Sequence, residues 1–415
     1  MPYYLFQKKW FIAFSLVFLI FLQLIYGFIF PTSGRADTWQ PISAYLPKFH
    51  GDTSDGFILG KVYPLVSKDY RLNSDSGDYL ELAKNFNSEM FRGHIYINRP
   101  LYPFLISLAS LPLRPFINIS YGIIFALAIL INFIAISLAV FLFFKLIREI
   151  FSLKVAWLSS VLLIFSPFTH SLLNQPIVEM LTALMVAVSC YCLYDYVKKP
   201  TPFKLAAYSL IIGVFLLGKM FYAVTFFFLL LAVYSRRFKE GAVFFALHLV
   251  PFILWYLWVT QVWHISYYVN EVQNWQMGVW LFDFFRGSWP STAKILLSLI
   301  PNFMEALIYG FMLVPVILSL IGFRYMPMKS KNMLYFGSLF SVFSLGFIMN
   351  LYLYRHAFLL FPIIYPTAVL GVEKIAGSLK KYHRWLSPVF YAAMIGLMIF
   401  VSQIDIQRIF NYLKS

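Results

Sequence analysis

Eleven stretches of mostly apolar residues constrain this 415-residue chain more than any motif in it. A membrane-spanning helix needs about 20 such residues. The stretches lie at 10–30, 119–144, 155–170, 177–197, 205–218, 220–235, 241–263, 297–323, 333–349, 357–374 and 386–403. The third, fifth and sixth are short enough to tilt, break or merge. The first follows Lys8 and Lys9, is longer than a signal-peptide core and lacks a small-x-small cleavage site, so it reads as a retained anchor. Charged residues make up only 12% of the chain, about half the share of a soluble domain, too few to cover a water-facing surface of this size. The predicted fold is all-α: one polytopic integral-membrane domain over residues 1–415 with about 11 transmembrane helices. A fifth of the chain is aromatic, which excludes a disordered or nucleic-acid-binding tail.

The net charge of +16 then becomes a question of sides. With the N-terminus in the cytoplasm, the inner segments carry Lys8 and Lys9; Lys145, Arg148 and Lys154; Lys198, Lys199 and Lys204; Arg236, Arg237 and Lys239; Arg324, Lys329 and Lys331; and Lys374, Lys380, Lys381 and Arg384. These are 18 of the 33 Lys and Arg, against four acids, Glu149, Asp195, Glu240 and Glu373. Every inner loop obeys the positive-inside rule. The excess charge reports orientation in a cytoplasmic (inner) membrane, and no nucleic-acid partner is needed to explain it.

Two long segments fall outside on this topology, residues 31–98 and 264–293. The first holds eight of the seventeen acids, and a structureless loop of its length is improbable in a compact protein. Within it Tyr79, Leu82, Ala83 and Phe86 recur at helical spacing, which predicts a short amphipathic helix at the membrane interface. Trp263, Trp275, Trp280 and Trp289 lie in or beside the second segment.

An ionisable group in an apolar bundle costs a few kcal/mol and is a functional candidate by default. Asp75 and Asp78 in the first outer segment, Glu179 at the start of the fourth span, Lys219 between the fifth and sixth, and Arg355 and His356 before the tenth all map to the outer face. Each has a plainer reading. Asp75 suits a helix N-cap and Asp78 a first helical turn; Glu179 suits an interfacial residue or a partner of Asn174; Lys219, Arg355, His356 and Arg99 suit interface anchors, with lipid-phosphate binding as the alternative for Arg99. Together they complement one another chemically. A carboxylate can take a proton from a hydroxyl nucleophile, and cations can stabilise charge on a departing lipid phosphate. No zinc-type ligand spacing and no glycine-rich phosphate loop occurs in the chain, which argues against a nucleotide-driven machine.

At these residues the chain resembles the integral-membrane glycosyltransferases of the GT-C superfamily, in particular the bacterial relatives of protein O-mannosyltransferases and lipid A aminoarabinose transferases of the family 39 type. Asp75-Ser-Gly-Asp-Tyr-Leu-Glu-Leu-Ala is similar to that family's acidic residue followed by Tyr-Leu-x-x-Ala, Arg99-Pro-Leu-Tyr-Pro to its Arg-Pro-x-Tyr-Pro segment, and Pro176-Ile-Val-Glu179 to its third-to-fourth span connection. Gly213 to Lys219 resembles a Gly-x-x-x-Leu-x-Lys turn, and Arg355 to Pro362 a late Arg-x6-Pro span. Ser76 stands where relatives often carry a second acid, and about a dozen residues follow the last span where many relatives carry a folded outer domain.

The resemblance implies an inverting transfer from a polyprenyl-phosphate-linked sugar to a glycan, lipid or protein acceptor on the extracytoplasmic face. It implies Asp75 as general base with Asp78 assisting; Lys219, Arg355 and Arg99 on the donor phosphate; Glu179 and His356 orienting an acceptor or a cation; and a divalent ion such as Mg or Mn as the only cofactor in view. A transporter or flippase of lipid-linked sugars and a polysaccharide polymerase or ligase are the competing readings. Transporters commonly show internal repeats and mid-membrane binding residues, and neither is evident in this chain.

Overall fold

The computed structural model describes residues 9–29, 39–41, 71–92, 97, 99–218, 231–232, 236–265, 304, 307–308, 310–327, 337, 358–381 and 384–402. Within them the chain is helical apart from one small antiparallel ribbon, β1 (Trp39–Pro41) against β2 (Arg71–Asn73). The helices are α1 (Lys9–Ile29), α2 (Ser74–Lys84), α3 (Ser88–Phe91), α4 (Leu101–Ser110), α5 (Tyr121–Ile150), α6 (Leu153–Ile164), α7 (Pro167–Leu172), α8 (Glu179–Lys198), α9 (Pro202–Phe215), α10 (Phe238–His248), α11 (Val250–Leu257), α12 (Leu313–Phe323), α13 (Phe361–Leu379) and α14 (Leu386–Ser402). Five helical stretches, 11–29, 121–150, 153–172, 179–198 and 238–262, are long and apolar enough to cross a membrane. Four shorter apolar helices, α4, α9, α12 and α14, join them. The chain is thus a helical membrane protein. Of the sixth and ninth apolar runs only residues 231–232 and 337 are described.

Short polar residues set the helix starts. The hydroxyls of Ser120, Ser152, Ser166 and Thr201 accept hydrogen bonds from the amides of Ile123, Val155, Thr169 and Lys204, satisfying donors that a bare helix end leaves open. Pro167 and Pro202 follow two of these caps at positions where the missing N–H costs nothing. The third apolar run therefore breaks at Ser166-Pro167 into α6 and α7. The seventh bends at Leu249-Val250-Pro251 and ends in a π turn over Trp258–Val262.

Three helix pairs run parallel, each pair with one further apolar run between its members in the sequence. Along α5 and α8, Asn132 lies near Leu173 and Gln175 at one end, Lys145 lies 4.6 Å over the Tyr191 ring, and Glu149 meets Lys198 at the other end. Along α12 and α13, Phe311 packs edge-on against Tyr365, the Thr367 hydroxyl donates to Ser319 Oγ at 3.0 Å, and Lys374 lies 4.7 Å over Tyr325. α9 and α10 pair in the same sense. Their close approach depends on absent side chains: a Cβ on Gly213 would run into the His248 carbonyl, on Gly322 into the Thr367 carbonyl, and on Gly371 into the Leu318 carbonyl. Parallel pairing of alternate runs is the parity that the charge-derived topology requires.

Candidate active site

The end of the bundle opposite the basic loops gathers the first long segment, the connection between α7 and α8, and the end of α9. β2 runs directly into α2, which carries Asp75 and Asp78. The helix begins at Ser74, so Asp75 sits inside its first turn and the cap lies upstream of it. The predicted apolar face holds for its helical members: Tyr79, Leu82 and Ala83 are buried, together with Leu80. The face packs into the bundle against α4 and α5.

A chain of buried contacts starts from this helix. Tyr79 packs edge-on against Tyr102 at 5.3 Å. The Tyr102 hydroxyl donates to Asn132 Oδ1 at 2.9 Å, and the Asn132 amide donates to the carbonyls of Gln175 and Leu173. Four residues beyond Gln175, Glu179 opens α8 with 2% of its surface exposed. The expectation of an interfacial, snorkelling Glu179 is therefore corrected: its carboxylate lies inside the bundle, where the positive end of a 20-residue helix favours an anion. The side-chain amide of Asn174 donates to the Gly27 carbonyl at 2.7 Å, tying α1 to the same connection, and His170 packs on Tyr26.

Arg99 is half-buried on the adjacent strand of chain. Two residues on, the Leu101 amide donates to the Leu217 carbonyl at 2.9 Å, so the Arg99-Pro100 segment is pinned to the turn that ends at Gly218, one residue before Lys219 in sequence. A second anchor is aromatic. Phe86, Phe91 and Phe104 pack with Trp255 and Trp263, whose rings lie 5.3 Å apart, and the Trp255 indole N–H donates to the Ile97 carbonyl at 2.8 Å. The π turn after α11 places Trp263 beside Trp255.

Of the sequence-predicted residues, Asp78, Arg99 and Glu179 lie on this end, and all three are engaged in interactions there. Asp75 is placed by its backbone in α2, while its side chain, Lys219, Arg355 and His356 lie outside the described residues. The chain re-enters at Phe358–Leu360, packed against α8, the helix that Glu179 begins. Ser76 is fully buried, and its hydroxyl makes no hydrogen bond among the described residues. Among those residues no three His, Cys, Asp or Glu side chains gather as a metal site. Tyr102, Asn132 and Trp255 went unpredicted. Asn132 did carry a signal, since an amide in the middle of an apolar run is as expensive as many charges.

No protein-family model matches this sequence, and no curated protein resembles it significantly. Solved structures do match it. The oligosaccharyltransferase AglB of Archaeoglobus fulgidus, in complex with an inhibitory peptide and a dolichol-phosphate, superposes with a TM-score of 0.52 at 14% identity, covering 96% of this chain and 55% of that one. The same archaeal enzyme in complex with Zn and sulfate matches with a TM-score of 0.50 at 14% identity, covering 79% of this chain and 48% of that one. ArnT of Cupriavidus metallidurans, in the apo state, matches at 16% identity with a TM-score of 0.44, covering 74% of this chain and 56% of that one. The chain shares the helical membrane fold of the archaeal oligosaccharyltransferase AglB over nearly its whole length. It spans about half the length of these proteins, and at such identities the likeness is one of fold.

Proposed function

We propose that the chain is a glycosyltransferase that moves a sugar from a polyprenyl-phosphate donor to an acceptor on the extracytoplasmic side of a cytoplasmic membrane. The observation that carries the reading is the anchoring of α2, with Asp75 and Asp78, through Tyr79, Tyr102 and Asn132 to the connection that ends in Glu179. Two acidic stretches a hundred residues apart in sequence are thereby held at one end of the bundle, beside Arg99 and the turn before Lys219. The dolichol-phosphate and peptide named for the AglB complex support a lipid-phosphate carrier and a polar acceptor as the two substrate classes.

In this reading the acceptor hydroxyl attacks the anomeric carbon as its proton passes to the Asp75 carboxylate. The bond from that carbon to the phosphate oxygen breaks on the opposite side, and the electron pair leaves with polyprenyl phosphate. Inversion follows from the single displacement. Asp78 assists Asp75; Lys219, Arg355 and Arg99 stabilise the charge arriving on the phosphate, an effect that low dielectric strengthens; Glu179 and His356 orient the acceptor or a cation. Ser76 supplies no second carboxylate next to Asp75.

The test is to incubate the purified chain with a panel of polyprenyl-phosphate sugars and measure released polyprenyl phosphate. Turnover with at least one donor is expected, and Asp75→Asn should lower it by about a hundredfold or more, the usual worth of a general base. Full activity in Asp75→Asn removes that assignment. No turnover with any donor, together with flipping of a lipid-linked sugar in vesicles, replaces the transferase with a transporter.

A further inference from the structure

The basic end of the bundle contains a concavity that positive-inside orientation does not by itself explain. Here the start of α6, the last turns of α13 and the start of α14 enclose a hollow of about 570 Å³ lined by Lys154, Glu373, Gly377, Lys380, Arg384 and Tyr391. Lys154 is partly neutralised by Glu373 at 3.4 Å and lies 3.6 Å over the Tyr391 ring. Lys380 and Arg384 have no acidic partner among the described residues, so the hollow keeps a charge of +2.

Three further features point to an oxyanion as its occupant. Tyr391 lines the hollow, and its buried hydroxyl makes no hydrogen bond among the described residues. The 17-residue α14 starts at the hollow, and the N-terminal end of a helix favours an anion. Gly377 sits on the exposed rim of the hollow and leaves it open: a Cβ placed there meets no atom within 4 Å. Along α14 the rim continues into an exposed apolar face, with Trp385 62%, Val389 56% and Phe400 66% accessible. A polar hollow continuous with an apolar helix face matches a headgroup followed by an acyl chain.

We propose that this hollow, independent of the transferase reading, is a binding site for a phosphate oxyanion at the cytoplasmic end of the protein, occupied by the headgroup of an anionic phospholipid. Phosphodiester oxygens would accept charge-assisted hydrogen bonds from Lys380 and Arg384.

The experiment uses the full chain in two arms. In the first, phosphatidylglycerol is titrated onto detergent-purified protein and bound lipid is counted by native mass spectrometry, with phosphatidylcholine as reference. In the second, inorganic phosphate is titrated onto protein in phosphatidylcholine nanodiscs. Gly377→Glu puts an acid into open space without touching the helix packing, and Lys380→Gln with Arg384→Gln removes the unpaired cations. The double variant Lys199→Gln, Lys239→Gln removes the same charge from exposed sites at the same end.

Tighter binding of phosphatidylglycerol than phosphatidylcholine, weakened about tenfold by Gly377→Glu and by the Lys380/Arg384 pair but not by the Lys199/Lys239 pair, supports the site with a lipid occupant. The same variant pattern seen only with inorganic phosphate supports the oxyanion site and reassigns its occupant to a soluble phosphate. Equal loss in the Lys199/Lys239 control, wild-type binding in both pocket variants, or no binding in either arm overturns the proposal.

Discussion

The two ends of the bundle are held by different physics. At the basic end all four acids that the topology places there make ion pairs: Glu149 with Lys198, Asp195 with Lys204, Glu240 with Arg237 and Glu373 with Lys154. Their side chains remain about a quarter to a half exposed. Water and salt screen such pairs, so each contributes little to stability. At the opposite end neutral hydrogen bonds tie buried or half-buried groups together: Tyr102 to Asn132, Asn132 to the Gln175 carbonyl, Trp255 to the Ile97 carbonyl, Asn174 to the Gly27 carbonyl. A buried donor left without its acceptor costs far more than a screened ion pair. The basic end can therefore exchange partners cheaply, as a binding surface needs, while the opposite end is fixed, as a site that orients two substrates needs.

Three substitutions probe that contrast. The largest effect is expected from Gly322→Leu, which drives a side chain into the Thr367 backbone and separates α12 from α13, the pair whose parallel course joins the two ends. Overpacking a backbone contact leaves no flexible neighbour to yield, so the variant should fail to give a monodisperse peak in detergent, where Gly396→Leu, with nothing within 4 Å of its Cβ, should behave as wild type. A normal peak for Gly322→Leu would mean that the two helices are not in contact.

Asn132→Ala comes next. It removes the buried hydrogen bonds from Tyr102 and to the Gln175 carbonyl, leaving Tyr102 the longer contact to the Ala128 carbonyl and Gln175 its bond from the Ile177 amide; the loss, about 1–3 kcal/mol, should lower the melting temperature of the purified protein and any transferase turnover together. Unchanged melting would show that this chain of contacts does not hold α2 in place.

The smallest effect is expected at the basic end. Glu149→Gln breaks an ion pair on exposed surface, and its melting curve should overlie that of wild type in both low and high salt. A clear salt-dependent loss would abolish the distinction between the ends.

How much of this was legible in the chain depends on whether a feature is local. The caps Ser120, Ser152, Ser166 and Thr201 are local signals, each bonding an amide three residues away, although the sequence reading did not single them out. The face of α2 was readable from its period, although its burial under α4 and α5 was not. The candidate site divides the same way. Asp78, Arg99 and Glu179 were picked out because ionisable groups are costly beside lipid, and Glu179 was then found deeper than a snorkelling residue would sit. Asn132 and Trp255 escaped, because an amide or an indole becomes informative only when its partner, 43 or 158 residues away, is known.

Sequence alone determined that this is a helical membrane chain and which loops share a side, since both follow from the transfer cost of each residue taken in order. Tertiary structure alone decided that α2 is clasped to the connection before Glu179, that glycines let α12 and α13 touch, and that Lys154, Lys380 and Arg384 line one hollow. Those are distances between remote parts of the chain, and hydropathy, a sum over neighbours, carries no term for them.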